Sequence, residues 1–583
     1  MPAPKNPAHA RTRAVEPTAE PIALKTGADI LVEALEREGV DVLFAYPGGS
    51  SMPIHQALTR SKKIRVILAR HEQGEAFEAG GYARATGRTG VCIATSGPGA
   101  TNLVTGIADA KLDSIPLVAI TGQVPTKVIG TDAFQEVPTV EICRSITKHA
   151  TLIQSIDSIP QVVKDSFHIA STGRRGPVLI DLPKDIQQAS AVPSWPEKTS
   201  LRSYNPFLRA TPEELDRIRE AVASSRRPVI YCGGGVVSSG ASEALRAFVR
   251  ATGIPVTATL MGLGAFPSDD PLFLGMLGMH GTYAANWAIA HADLLLALGT
   301  RFDDRVTGKL DEFASQATIA HVEIDPSEIN KIKRAHLAVA SDVRYALEAL
   351  AGVARPCDCA PWRGELEKKC RDFPMRFVDS EDTIKPQYLL RTLSDRLRGD
   401  AIVVTGVGQH QMWSAQWISY RQPRSFITSG GLGAMGFGLP AAIGAQIGRP
   451  DALVVNVDGD GSFLMNIQEL AVVNLEKIPL KMMILDNQHL GMVVQWEDRF
   501  FAGNHAHTYL GDGSGTPYPD FIRIASGFGI PGRRVTRKKD VPAALDAMLN
   551  EKGPFLLDVM TDRTEHVLPM IPSGKSIRDV IQE

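Results

Sequence analysis

Two oxygen-bearing side chains, Asp460 and Asn487, stand 27 positions apart, each at the end of an apolar run. The first run, Val454-Val455-Asn456-Val457, reads as a buried strand and breaks at Gly459-Asp460-Gly461. Glycine at those positions lets backbone N–H groups close on an anion while Asp460 faces the same spot. Residues 463–470 then show helical apolar spacing, and a second run, 480–485, delivers Asp486-Asn487. Two strand ends, each with an oxygen ligand beside such a turn, suit a hard divalent cation such as Mg²⁺ holding a diphosphate. Both residues would also serve as ordinary turn formers. A separate carboxylate, Glu72, sits in Arg70-His71-Glu72-Gln73 just after an apolar run at 64–68, and Ser96-Gly97-Pro98-Gly99 follows a later run at 90–94.

Three blocks of alternating strands and helices must position these groups. We expect a tail over 1–24, blocks over 25–190, 213–354 and 384–583, and linkers over 191–212 and 355–383. The fold class is α/β, with three doubly wound parallel sheets and ligands at the carboxyl ends of their strands. Blocks one and three share an outline: helix, glycine, strand, then Ser96-Gly97-Pro98-Gly99 in one and Gly459-Asp460-Gly461 in the other. That outline reads as a diverged duplication. The middle block carries Gly233-Gly234-Gly235 and Gly299-Thr300-Arg301 after strands and Asp325 after a later one, the pattern of a nucleotide-binding sheet.

The chain has 583 residues, too many for one core. Lys and Arg number 62 against 64 Asp and Glu, so nothing points to nucleic acid or an anionic membrane. No apolar run reaches the length of about 18 residues expected of a membrane span. Six scattered cysteines favour a reducing, cytoplasmic setting, and Cys357-Asp358-Cys359 lacks a second ligand pair at zinc spacing. Residues 1–22 lack the apolar centre of a secretory signal; they read as a disordered tail, with organelle targeting left open.

With Arg301-Phe302-Asp303-Asp304-Arg305 and the run 487–497 added, the sequence from about residue 26 onward resembles the acetohydroxyacid (acetolactate) synthase family. This is the FAD-containing biosynthetic branch of the thiamine diphosphate enzymes. The resemblance implies an enzyme that decarboxylates pyruvate and adds the hydroxyethyl carbanion to a second pyruvate or to 2-ketobutyrate, feeding valine, leucine and isoleucine synthesis. It implies thiamine diphosphate, Mg²⁺ and FAD as cofactors, and a catalytic carboxyl, Glu72, at N1′ of the cofactor's pyrimidine. Asp460, Asn487 and the carbonyl of His489 would hold the metal. Gly408, Gln409, His410, Gly433, Gly459, Gly461 and Ser462 would surround the diphosphate, with Met435 beneath the thiazolium and Tyr46, Pro47 and Gly48 around the pyrimidine. Gln135 and Lys184 would assist catalysis, and Phe134, Arg305, Met492, Val493, Trp496 and Ser573 would line the substrate channel, the wall where the family's herbicides bind. FAD would lie against Arg174, Gly233, Gly234, Gly235, Leu260, Met261, Gly281, Gly299, Arg301, Asp325, Asp342 and Val343. A homodimer or tetramer with shared active sites and a separate regulatory subunit are further implications. The alternatives are another pyruvate-using enzyme of the same cofactor, oxidase-like, and a non-catalytic regulatory relative.

Overall fold

The computed structural model describes residues 24–352 and 355–583; the expected N-terminal tail lies almost wholly outside them. Three six-stranded sheets, parallel throughout, carry the chain, so the α/β expectation of three doubly wound sheets holds. The first contains β1 (Val42–Ala45), β2 (Arg65–Leu68), β3 (Gly90–Ala94), β4 (Leu117–Gln123), β5 (His149–Leu152) and β6 (Pro177–Pro183). The second contains β7 (Pro228–Cys232), β8 (Val256–Ala258), β9 (Phe273–Met276), β10 (Leu294–Leu298), β11 (Thr318–Glu323) and β12 (Leu337–Ala340). The third contains β13 (Ile402–Thr405), β14 (Phe426–Ile427), β15 (Val454–Gly459), β16 (Lys481–Asp486), β17 (Gly532–Val535) and β18 (Phe555–Met560). Central strands such as β3, β10 and β16 are buried along their whole length, which is why they read as unbroken apolar runs.

Strand order exposes the ancestry. The first sheet runs β2-β1-β3-β4-β6-β5 and the third β14-β13-β15-β16-β18-β17, the same order position for position. The second runs β9-β8-β7-β10-β11-β12, the doubly wound dinucleotide order, with its switch point between β7 and β10. Equivalent helices of the outer sheets, Glu72–Thr86 and Gly438–Gly448, pack directly on each other. Their axes come close because Gly81 lies against Ala441 and Gly444 against Glu78, where any side chain would strike backbone. Phe77 meets Phe437 edge to face at 5.3 Å beside that crossing.

Several local expectations need correction. The helix expected over 463–470 is broken into Asp460–Leu464, a 3₁₀ turn at Ile467–Glu469, and Leu470–Leu475. Asn466 leaves helical geometry there and donates from its side chain to the carbonyl of Gly436 at 2.8 Å, tying two loops of the site together. Within the stretch 355–383 lies a 13-residue helix, Ala360–Asp372, whose Trp362 and Leu366 are buried against the second sheet. Composition hid it because only one narrow stripe is apolar. At the other expected linker, Pro212 already opens the helix Pro212–Ser224, capped reciprocally by Thr211 and Glu214. Among the described residues no helix is long and apolar enough to cross a membrane.

Candidate active site

At the carboxyl end of the third sheet, β15 closes at Gly459 and the next residues start a short helix, so Asp460 stands at its first position. Asp460 Oδ1 accepts from the amide of Gly461 at 2.8 Å, while Oδ2 is buried without a partner. The neighbouring strand β16 ends at Asp486, and Gln488 takes a left-handed φ of 57° to turn the chain back. In that turn Asn487 Oδ1 accepts from the amide of His489 at 3.0 Å, and the carbonyl of His489 accepts from the amide of Gly491 at 2.8 Å. Asp486 and Asp558 each bury a further unpartnered carboxyl oxygen nearby. Burial, then mutual repulsion, pushes the Asp486 carboxyl well up, and burial also raises Asp460. A divalent cation is the group that reverses such a penalty, so the donor set fits Mg²⁺: hard oxygens, one of them orphaned.

The cradle around this spot is built from the first strand of the same sheet. The helix Gln409–Trp417 begins after β13, and its cap Gly408 has φ 152°. His410 is buried, and burial pushes its imidazole down to about 3, so it stays neutral beside Asp458. Gln409 donates to the Gln495 carboxamide oxygen and the Glu565 carbonyl, leaving its own oxygen unpartnered. Ser462 Oγ accepts from the amides of Gly436 at 3.1 Å and Val407 at 3.4 Å, so it holds the loop above as well as facing the turn. Met435 sits on that loop, its methyl 3.6 Å from where a side chain on Gly461 would begin. Gly433, two residues earlier, has φ 70°.

In the first sheet the corresponding tips carry other chemistry. Glu72 opens its helix directly after β2, capped by His71, whose Nδ1 accepts from the amide of Gln73. Asn102 donates to Glu72 Oε2 at 2.9 Å, leaving Oε1 toward Gly99, where an added side chain would approach to 3.2 Å. Gly48 packs on Thr95, and Thr95 Oγ1 accepts from the amide of Ser50, so the loop after β1 bearing Tyr46 and Pro47 is fixed to the turn after β3. Gln135, at φ 61°, lies across Gly97 in the same group. Phe134 is 87% exposed, and Lys184 heads the short helix after β6. The amide of Arg70 donates to the Glu469 carboxylate at 3.1 and 3.2 Å, tying this segment to the one that follows Asp460, while Glu72 itself bonds to Asn102.

Met492, Val493 and Trp496 share the helix Gly491–Phe500, with Val493 exposed and Trp496 packed on Phe500 at 4.8 Å. Arg305 and Ser573 line one cavity of about 260 Å³, closed by the C-terminal segment, whose Ile571 amide donates to the Met279 carbonyl.

A larger cavity of about 760 Å³ opens at the carboxyl ends of β7 and β10. Arg174, Gly233, Gly234, Gly235, Leu260, Met261, Gly299, Arg301, Asp342 and Val343 line it, and Asp325 pairs with Arg174 at 3.1 Å. Gly235 lies so close to Gly299 that neither could carry a side chain, which keeps the floor open. The size, the switch-point position and the glycine floor fit a dinucleotide such as FAD. Gly281 does not line this cavity; it packs on Met276 and Leu277, where its missing side chain serves a tight turn. Residues that the sequence did not single out complete the wall: Leu112, Asp113 and Ser114 from the first sheet's domain, Tyr345, and the Gly430-Gly431 pair.

Three domain families match the chain in order. Residues 25–142 match the N-terminal TPP binding domain of thiamine pyrophosphate enzymes, 215–350 their central domain, and 406–559 their C-terminal TPP binding domain. Acetolactate synthase 1, chloroplastic, of Zea mays is 58% identical over 567 residues, spanning 96% of this chain and 89% of that protein. The chain belongs to the acetolactate synthase family. Probable acetolactate synthase 2, chloroplastic, of Oryza sativa is 58% identical over 98% of the chain and 88% of its own length. The Arabidopsis thaliana acetolactate synthase, also chloroplastic, is 55% identical over 96% of the chain and 85% of its own length. Family members of this kind are thiamine pyrophosphate enzymes, and the two outer sheets here are their cofactor-binding domains.

Proposed function

We propose that the chain is a thiamine diphosphate-dependent carboligase that converts two pyruvates to 2-acetolactate and CO₂, and pyruvate with 2-ketobutyrate to 2-aceto-2-hydroxybutyrate. The observation that carries this is family membership across 96% of the chain, combined with a Glu72 group after the second strand of one sheet and an Asp460 group after the third strand of its like-ordered counterpart. Thiamine diphosphate, when bound, supplies the electron sink that no side chain offers for the carbon losing CO₂. Asp460, Asn487 and the His489 carbonyl would hold Mg²⁺ and through it the diphosphate. Glu72, oriented by Asn102, would hold and return a proton at N1′ of the pyrimidine through its free Oε1. Arg305 and Lys184 would draw 2-ketoacid carboxylates, and Trp496 would shape the second-substrate pocket. FAD would fill the cavity at β7 and β10 as a structural group, since the reaction has no net redox step.

Two copies would complete each site. Tyr46, Met52, Phe134, Leu464 and Met465 expose apolar surface beside the Glu72 and Asp460 groups. A homodimer in which one subunit brings Glu72 to the other's metal site would bury that surface; a tetramer and a separate regulatory subunit extend the same reading. The deciding assay incubates the protein with pyruvate, thiamine diphosphate, Mg²⁺ and FAD, with and without air. Equal acetolactate in both supports the carboligase; acetyl product with oxygen uptake would overturn it.

A further inference from the structure

The stretch 429–436 runs from the wall of the dinucleotide cavity to the diphosphate turn. At one end Gly430 and Gly431 line the cavity; at the other the Gly436 amide is held by Ser462 beside Asp460. Met435 lies between these ends. What fixes the cavity end is a buried ion triad from the first sheet's domain. Asp113 accepts from the amides of Gly430 at 3.0 Å and Gly431 at 2.7 Å. Ser429 Oγ donates to Asp109 at 2.5 Å and accepts from the amide of Ala434 at 2.9 Å. Arg84 Nη2 bridges the two carboxylates at 2.7 and 2.9 Å, and all three side chains are at most 4% exposed.

The arrangement has more than a packing role. Asp113 is part of the cavity wall and the acceptor for two amides of the stretch, so whatever sits in the cavity bears on the anchor itself. Met261, another wall residue, also packs its thioether on Gly430, so a side chain there would have to displace it. Between its anchors the stretch turns at Gly433 and Gly436, with φ 70° and 83°, so its own backbone does little to fix it. Ordering such a segment costs conformational entropy, and the ligand that binds first bears that cost for both.

We propose that the dinucleotide cavity and the diphosphate turn are thermodynamically linked through residues 429–436, with Asp113 and Asp109, bridged by Arg84, as positioning residues for Met435. The inference rests on the assignment of FAD and thiamine diphosphate to those two places. Linkage is reciprocal: if FAD tightens thiamine diphosphate, thiamine diphosphate tightens FAD by the same factor.

The test uses the full chain stripped of cofactors. FAD is titrated by flavin fluorescence with and without saturating thiamine diphosphate and Mg²⁺, and thiamine diphosphate by calorimetry with and without FAD. The expected factor is about 5–150-fold and equal in both directions, with amide exchange at 430–436 slowed by either cofactor alone. Asp113→Asn should bring the factor toward one while each cofactor still binds singly. Ser429→Ala, which removes no buried charge, should give an intermediate factor and decides the matter if Asp113→Asn fails to fold. A wild-type factor of one with both cofactors bound overturns the linkage alone. An undiminished factor in the variants overturns the role of the anchors. Absence of FAD binding to the wild type overturns the flavin assignment and the linkage with it.

Discussion

The first and third sheets share one strand order but not one chemistry. At the end of the third strand in order, one has the uncharged Thr95-Ser96-Gly97-Pro98 turn and the other Asp458-Gly459-Asp460-Gly461. After the fourth, one has Val124-Pro125 and the other Asn487, following the buried Asp486. After the second, one delivers Glu72 and the other the loop that carries Met435. Duplication therefore fixed where ligands bind, at the carboxyl tips, and left the choice of side chain free at each tip. On the proposed reading one copy offers Glu72 for proton transfer, and the other an acidic cluster suited to a cation.

That division predicts opposite failures. Glu72→Gln should lower turnover by about 10²–10⁴-fold, the usual scale of a lost acid–base group, with cofactor affinity by calorimetry nearly unchanged. Undiminished turnover would remove Glu72 from the mechanism. Asp460→Asn should instead weaken binding of Mg²⁺ and cofactor together by about 10-fold or more, the scale on which even outer-shell partners of a metal act, with much of the turnover recovered at saturating cofactor. Equal effects of the two variants on binding would dissolve the distinction between the tips. Mixing the two variants, at a cofactor concentration too low to rescue Asp460→Asn, sharpens it further. If each site takes one group from each subunit, randomly mixed dimers regain roughly a quarter of wild-type activity, because half are hybrids and each hybrid has one intact site. Sites contained within one chain would regain none.

The helix crossing that joins the two halves offers a smaller effect. Gly81→Val would drive a side chain into the Ala441 backbone, and overpacking of this kind costs about 1–3 kcal/mol. Thermal unfolding should shift down by a few degrees. Gly364→Val, likewise inside a helix but with no atom within 4 Å of an added side chain, controls for the substitution without the clash. Equal shifts for both would show that the crossing tolerates separation.

Much of this was legible in the sequence because parallel strands are buried on both faces and end in short glycine turns. The 27-residue frame from Asp460 to Asn487 appears as read: two adjacent strand tips with oxygen donors. Glu72 likewise stands at the start of its helix after β2. What stayed hidden depends on contacts between distant segments. Asp113 faces Gly430 and Gly431 across more than three hundred residues, and nothing in the local pattern around Asp113 marks it as a cavity wall. The helix Ala360–Asp372 escaped notice for a related reason, since Trp362 and Leu366 are its only buried side chains. Gly281 enters the flavin set through the family resemblance alone, and its geometry serves a turn outside the cavity lining.

A last contrast lies on the sixth strands, β6 and β18, where each sheet buries one aspartate. Asp558 is paired with Arg534 at 2.7 Å. Asp181 has only uncharged partners, Thr121 at 2.7 Å and Gln123 at 2.9 Å. Burial pushes the Asp181 carboxyl up from 3.8 to about 7, the two hydrogen bonds holding it back only in part. Between about pH 4 and pH 7 the folded chain then keeps a proton that the unfolded chain releases, so this residue's contribution to stability falls as pH rises and levels off above 7. Asp181→Asn removes the titration and loses the bond from Gln123, at about 1 kcal/mol. Its deficit relative to the wild type should therefore be greatest near pH 4.5 and shrink toward pH 7.5 in paired thermal melts. Asp558→Asn leaves the Arg534 guanidinium with Asp520 alone, at 2.9 Å, and should also lower stability at neutral pH. Parallel profiles for wild type and Asp181→Asn across that window would mean that Asp181 is ionised in the folded chain and that its two uncharged partners suffice to hold the charge.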